Sequence, residues 1–113
     1  MSVVAGRKDD TGKVRMELLL PMSRALRGVA DVMTWAVTEK KPTPYEPGSW
    51  QNVDDFYPRY MGALMRHLTN IGKHGQLCVD HETRLLDLKH LATDALILLE
   101  LTERQIENES HAE

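Results

Sequence analysis

The sequence predicts an all-α fold, a small bundle of three main helices. Apolar residues recur at spacings of three and four in three separate segments, as expected for amphipathic helices. Strand patterns are short, and the two candidates are residues 14–20 and 76–79. The chain has 113 residues, of which 42% are hydrophobic and 27% charged, as in a folded globular protein. We therefore expect residues 1–113 to form one domain.

The ends of the chain are expected to lie outside the helical core. Residues 1–15 are polar, contain two glycines and lack periodicity, so they predict an extended arm. Residues 16–108 form the predicted helical core, which opens with an apolar Leu18–Leu20 anchor before Pro21, where helical geometry is disfavoured. Residues 109–113 are expected to form a disordered tail.

Each predicted helix has recognisable end signals. The first spans Ser23–Glu39, with Ser23 as its N-cap, and is followed by a proline-rich loop, Lys40–Asn52. The second begins near Pro58 and ends at Gly72–Gly75, and the third spans about Asp80–Asn108. Three such helices in one layer would leave apolar faces exposed, so we expect a homo-oligomer to complete the bundle.

Composition excludes several classes of function. Lys and Arg total 14 against 17 Asp and Glu, a net charge of −3, so no general basic field is available to hold duplex nucleic acid. No apolar run approaches the ~18 residues of a membrane helix, and we expect no membrane association. The single cysteine, Cys78, excludes an intrachain disulfide and favours a cytoplasmic location.

A polar stripe interrupts the third predicted helix, which is otherwise apolar nearly all round. The stripe follows spacings of four, three and four and consists of Thr83, Asp87, His90 and Asp94. Buried ionised groups need partners, so the stripe indicates either a metal or ligand cleft or a structural network. In the structural alternative, Asp87 pairs with His90, while Asp94 bridges to an arginine of the second helix. The sequence leaves both open.

The remaining polar candidates each have an ordinary structural explanation. The cluster Asp80, His81 and Glu82 can supply metal ligands or simply cap a helix. His67 and His74 have no companion at metal-ligand spacing, which favours structural roles. Cys78 has no recognisable base nearby. The cations between Arg7 and Arg15 can wrap a phosphate, although a solvated charge run is the commoner interpretation.

Six segments occur in an order that points to a known family: residues 7–13, 19–21, 48–50, 59–68, 80–83 and 90–96. Together they resemble the small phage-associated domain named after the N-terminal part of dATP/dGTP diphosphohydrolases, over about Arg7 to Leu101. The resemblance implies a phage protein of nucleotide biology, related to the all-α nucleoside triphosphate pyrophosphohydrolases of the MazG type.

MazG-type enzymes hold Mg²⁺ with an EExxE on one helix and an ExxD on the next. Here residues 59–73 carry no carboxylate, and Asp87-Leu88-Lys89-His90 stands where ExxD is expected. Because the chain departs from that pattern, Mg²⁺ or Mn²⁺ would need another set of ligands, and the candidates are Asp80, Glu82, Asp87 and Asp94, with His90 beside them. The expected catalytic residues, which would orient the attacking water, are Glu82, Asp87 and His90. The expected substrate phosphate ligands are Arg7, Lys13, Arg59 and Arg66.

Three functional hypotheses follow. The first is metal-assisted hydrolysis of a purine (deoxy)nucleoside triphosphate to its monophosphate and pyrophosphate. The second is a nucleotide-binding protein without turnover, which sequesters a nucleotide or a cyclic-nucleotide signal as a phage counter-defence; arginine forks recognise phosphate without metal. The third is a structural or host-interaction protein whose polar stripe sets the oligomer register.

Overall fold

The computed structural model describes residues 11–111. Within this range the chain forms three α-helices: α1 (Ser23–Thr38), α2 (Phe56–His74) and α3 (Asp87–His111). Two 3₁₀ segments, Met16–Met22 and Ser49–Asn52, precede α1 and α2. The described part contains no strand, only one isolated antiparallel bridge between Val79 and Leu86. The predicted all-α fold with three main helices is confirmed.

The boundaries of α1 and α2 lie close to those expected. α1 ends one residue before Glu39, and α2 places Pro58 in its first turn, where a missing N–H leaves no hydrogen bond unmade. α2 ends where Gly75 adopts a φ of +92°, and the Gly75 N–H donates to the carbonyl of Ile71. The Leu18–Leu20 anchor is instead part of the first 3₁₀ segment, and its side chains are exposed.

The expected start of the third helix at Asp80 is wrong, because α3 begins at Asp87. Residues 78–87 form a closed loop whose main-chain groups pair across it rather than along a helix. The Asp80 N–H donates to the carbonyl of Leu85, and the Asp87 N–H donates to the carbonyl of Cys78. Arg84 turns the chain with a φ of +63°. We call this segment the 78–87 loop; it removes Thr83 from the helical stripe.

The expected disordered tail is also partly wrong, since α3 continues through residues 109–111. Good helix formers fill its last turns, and the Gln105 side chain donates to the carboxylate of Glu109, four residues on. Residues 112–113, like residues 1–10 of the predicted arm, lie outside the described part of the chain.

α3 is the central element, with both α1 and α2 packed on it. The buried apolar residues of the described chain are Ile97, Leu98 and Leu101, all on α3. Lys89 extends to α1, where its ammonium forms a 2.9 Å ion pair with Asp31. No helix among residues 11–111 has both the length and the apolar character needed to cross a bilayer.

Candidate functional site

A cleft of about 580 Å³ lies between the three helices and the 40–53 connection. One part of its lining is aromatic and comes from α1, the connection and α2: Trp35, Tyr45, Trp50 and Tyr60. Another part is polar and comes from α2, the 78–87 loop and α3: Arg59, Arg66, His67, Asp80, His90 and Asp94. The cleft therefore combines flat apolar surfaces with cations, carboxylates and imidazoles.

Three side chains from three elements meet in an acid–histidine cluster, which we define as His67, Asp80 and Asp87. His67 Nδ1 lies 2.6 Å from Asp87 Oδ1 and 4.0 Å from Asp80 Oδ2. The three potential ligand atoms lie within 4.8 Å of one another. Asp87 is fully buried at 0% exposure, at the first residue of α3, where a negative charge is favourable.

Both carboxylates of the cluster are held in their ionised form. Burial raises the pKa of Asp87, but hydrogen bonds from His67, Cys78 and Asn70 outweigh it, and the pKa falls below its ordinary value. The Cys78 thiol lies 3.2 Å from Asp87 Oδ2. Burial likewise raises the pKa of Asp80, and the main-chain N–H groups of residues 82 and 83, which donate to Oδ1, contribute to a net lowering.

His90 packs directly on the cluster. Its ring stacks on that of His67, with centroids 4.5 Å apart and planes 8° from parallel. His90 Nε2 lies 2.7 Å from the hydroxyl of Thr83, so the 78–87 loop returns Thr83 to the site although Thr83 is not helical. Burial, followed by the charge of His67, lowers the pKa of His90, and the neutral imidazole is favoured. The pair between His90 and Asp87 that was considered from the sequence is absent, because Asp87 pairs with His67 instead.

Asp94 also lines the cleft but is not part of the cluster. Its Oδ2 is buried and has no hydrogen-bond partner among residues 11–111. Burial raises the pKa of Asp94 to about 6, although the charges of His67 and Arg66 oppose the shift. No ion pair joins Asp94 to Arg59 or Arg66, so the structural network considered from the sequence is absent from the described chain.

The remaining expected site residues occupy different positions. Glu82 lines the cleft but is exposed, and its carboxylate forms a 3.0 Å ion pair with Lys40. Arg59 and Arg66 line the cleft, are exposed, and form no ion pair with any residue of 11–111. Lys13 is exposed and outside the cleft lining, and Arg7 lies outside the described residues.

From the sequence, His67 was expected to have a structural role, and the aromatic residues that line the cleft were not identified. Asp80 and Thr83 form an Asp-x-x-Thr turn that resembles a helix N-cap, and this favoured a helix start where the chain instead folds back. Spacing along one helix cannot show that fold-back, so His67 had no visible partner. The sequence signal for the 78–87 loop was the polar run that starts at Asp80, because an Asp side chain also stabilises a tight turn.

The donor set decides which metal the cluster fits. An imidazole with two ionised carboxylates suits Mn²⁺ and related transition metals, whereas Mg²⁺ prefers oxygen ligands alone. Of the four expected metal ligands, the structure brings together Asp80 and Asp87, joined by His67; Glu82 and Asp94 stand apart from this group. The residues present therefore fit Mn²⁺ better than Mg²⁺.

Comparison with known proteins identifies a family. The family model described as dATP/dGTP diphosphohydrolase, N-terminal, covers residues 4–111 and confirms the resemblance noted in the sequence. No curated protein and no solved structure matches the chain.

Proposed function

This chain belongs to the dATP/dGTP diphosphohydrolase N-terminal family, and from that premise we propose that it hydrolyses a purine deoxynucleoside triphosphate to the monophosphate and pyrophosphate. A phage-encoded enzyme of this kind would meet its substrate in the host cytoplasm. The observation that carries the proposal is the cleft, which is lined by aromatic rings, two arginines and two members of the acid–histidine cluster, His67 and Asp80, with the buried Asp87 directly behind His67.

The cleft provides a separate surface for each part of a nucleotide. The rings of Trp35 and Tyr45 present apolar faces on which a purine can stack. Lys40 Nζ lies 5.7 Å from the Trp35 ring centroid and 6.0 Å from that of Tyr45, so its ammonium is within cation–π distance of both rings. Within residues 11–111 the guanidinium groups of Arg59 and Arg66 form no ion pair, so their forked donors can bind phosphate oxygens.

The acid–histidine cluster is the proposed metal site. A divalent metal bound there would polarise a phosphoryl oxygen and make water more acidic. Asp80 and Asp87 contribute two negative charges to hold it, and the 78–87 loop fixes Asp80 by the two main-chain N–H groups on Oδ1. Asp87, fully buried and hydrogen-bonded, serves to hold and orient rather than to move protons.

His90 is the proposed general base. Its imidazole is neutral, lines the cleft and is oriented by Thr83, so it can accept the proton of the attacking water. The water oxygen bonds to the α-phosphorus, the bond from that phosphorus to the bridging oxygen breaks, and pyrophosphate leaves. Glu82 at the cleft edge can orient the same water once Lys40 turns to the phosphates.

The test is pyrophosphate release from dGTP and dATP by the purified chain with Mn²⁺ or Mg²⁺. Asp80→Asn and Asp87→Asn should each reduce release at least about 100-fold. The exposed Glu107→Gln on α3 is the matched control and should retain wild-type release. Circular dichroism confirms that each variant is folded. Absence of release by the wild type with Mn²⁺, Mg²⁺, Co²⁺ or Zn²⁺ contradicts the enzyme.

A nucleotide-binding protein without turnover is the second candidate. Its supporting observation is that the site residues already pair with one another: His67 with Asp87, Cys78 with Asp87, and Thr83 with His90. Such a protein needs the arginines and the rings but no metal. Calorimetry with mono-, tri- and cyclic nucleotides in EDTA tests it. Metal-independent binding, weakened about tenfold by Arg66→Met, supports sequestration; no heat with any ligand contradicts it.

A further inference from the structure

α3 carries a second apolar face, on the side away from the cleft. We name it the outer seam and define it as Leu88, Ala92, Ala95, Leu99, Thr102 and Ile106. Successive members are four, three, four, three and four residues apart, the repeat of a coiled-coil contact face. Leu88 is 42% exposed, Leu99 60% and Ile106 55%, so neither α1 nor α2 covers the seam.

The isolated chain buries little apolar surface for its size. Its radius of gyration is 18.5 Å, whereas a compact domain of this length has a radius of about 13 Å. Ile97, Leu98 and Leu101 are its buried apolar residues among those described. A stripe that is apolar at five of its six positions, on the central helix of so open a chain, is typical of an interface.

The outer seam is complementary to itself when two copies run antiparallel about a two-fold axis near Ile97. Leu99 of one copy then faces Ala95 of the other, so a large side chain fills the space beside a small one. Ala92 faces Thr102, and Leu88 faces Ile106 at each end. In a parallel pair every residue would face its own copy, which crowds Leu99 and leaves voids at Ala95.

The charged residues of α3 also favour the antiparallel arrangement. The last turns of α3 are acidic, with Glu100, Glu103, Glu107 and Glu109 against Arg104. A parallel pair would place these segments side by side, at a cost from like-charge repulsion. An antiparallel pair separates them and also opposes the two helix dipoles.

We propose that two copies of this chain pair through the outer seam of α3, antiparallel, with the two-fold axis near Ile97. Because His90 and Asp94 lie on the opposite side of α3, both clefts stay open in the dimer. The proposal does not depend on the proposed function, and either can fail without the other.

Light scattering on the full chain tests the dimer. The wild type should have twice the 12.9 kDa chain mass. Leu99→Glu should give a monomer, because the buried charge lowers the affinity between the two copies by at least about 100-fold. Leu26→Glu, at a 54% exposed leucine of α1, is the matched control and should stay dimeric. A monomeric wild type, or a dimer that survives Leu99→Glu, overturns the proposal.

Cysteine cross-linking tests the direction in a Cys78→Ser background. A mixture of Leu88→Cys and Ile106→Cys chains should form a disulfide-linked heterodimer under mild oxidation. Leu88→Cys alone should not cross-link, because the antiparallel pair separates the two copies of residue 88 by about 27 Å along the helix. Efficient cross-linking of Leu88→Cys to itself would show a parallel pair and overturn the proposed geometry.

Discussion

The burial of Asp94 in the cleft makes the stability of the folded chain depend on pH. Its carboxylate has a pKa raised to about 6 by burial, above the ordinary value of 3.8. Between pH 3.8 and about 6, Asp94 ionises in the unfolded chain but keeps its proton in the folded chain. Stability therefore falls as the pH rises from about 4 to about 6, and the full cost of the buried charge is present above pH 6.

Replacement of Asp94 by Asn removes that charge while keeping the shape of the side chain. We expect Asp94→Asn to raise the free energy of unfolding by about 1 kcal/mol at pH 8 and by much less at pH 4. Urea unfolding at both pH values measures the difference. The exposed Asp54→Asn is the control and should give the same small change at both. An equal gain from Asp94→Asn at pH 4 and pH 8 would refute the charge explanation.

The 78–87 loop decides which residues form the site. The chain reverses between the bridge partners Val79 and Leu86, and the reversal brings Asp80 beside His67 of α2. Arg84 lies in the left-handed region at a φ of +63°, where a side chain costs about 1 kcal/mol or more.

Glycine at position 84 should relieve that strain. We expect Arg84→Gly to raise the free energy of unfolding by about 0.5–1 kcal/mol and Arg84→Val to lower it by more than about 1 kcal/mol. Chemical unfolding of the two variants beside Arg27→Gly, a glycine placed within α1, provides the comparison. Destabilisation by Arg84→Gly as large as that by Arg27→Gly would contradict the strain.

The helices could be predicted because their signals are local. Apolar periodicity and the turn glycine at position 75 located α1 and α2 within two residues. The start of α3 could not be placed, because Asp80 satisfies the main-chain N–H groups of a turn with the same chemistry as a helix cap. The site was predicted in part for the same reason: Asp80 and Asp87 were identified, but their meeting with His67 depends on a reversal that spacing does not encode.

At the scale of the whole molecule, stability should depend on protein concentration. If folded chains pair through the outer seam, mass action favours the folded state as concentration rises. The thermal midpoint of the wild type should increase by several degrees between about 1 and 100 μM. That of Leu99→Glu should stay constant. A concentration-independent midpoint for the wild type would contradict the dimer as the folded unit.

The proposed activity of the cleft is the binding and hydrolysis of a purine nucleoside triphosphate. Its most direct test is incubation of the chain with a mixed nucleotide pool and Mn²⁺, followed by chromatography of the free solution and of the ligand released on denaturation. We predict conversion of a purine triphosphate to its monophosphate with one pyrophosphate. An unchanged pool, with or without a nucleotide retained on the protein, would contradict the hydrolase; a retained nucleotide would establish sequestration in its place.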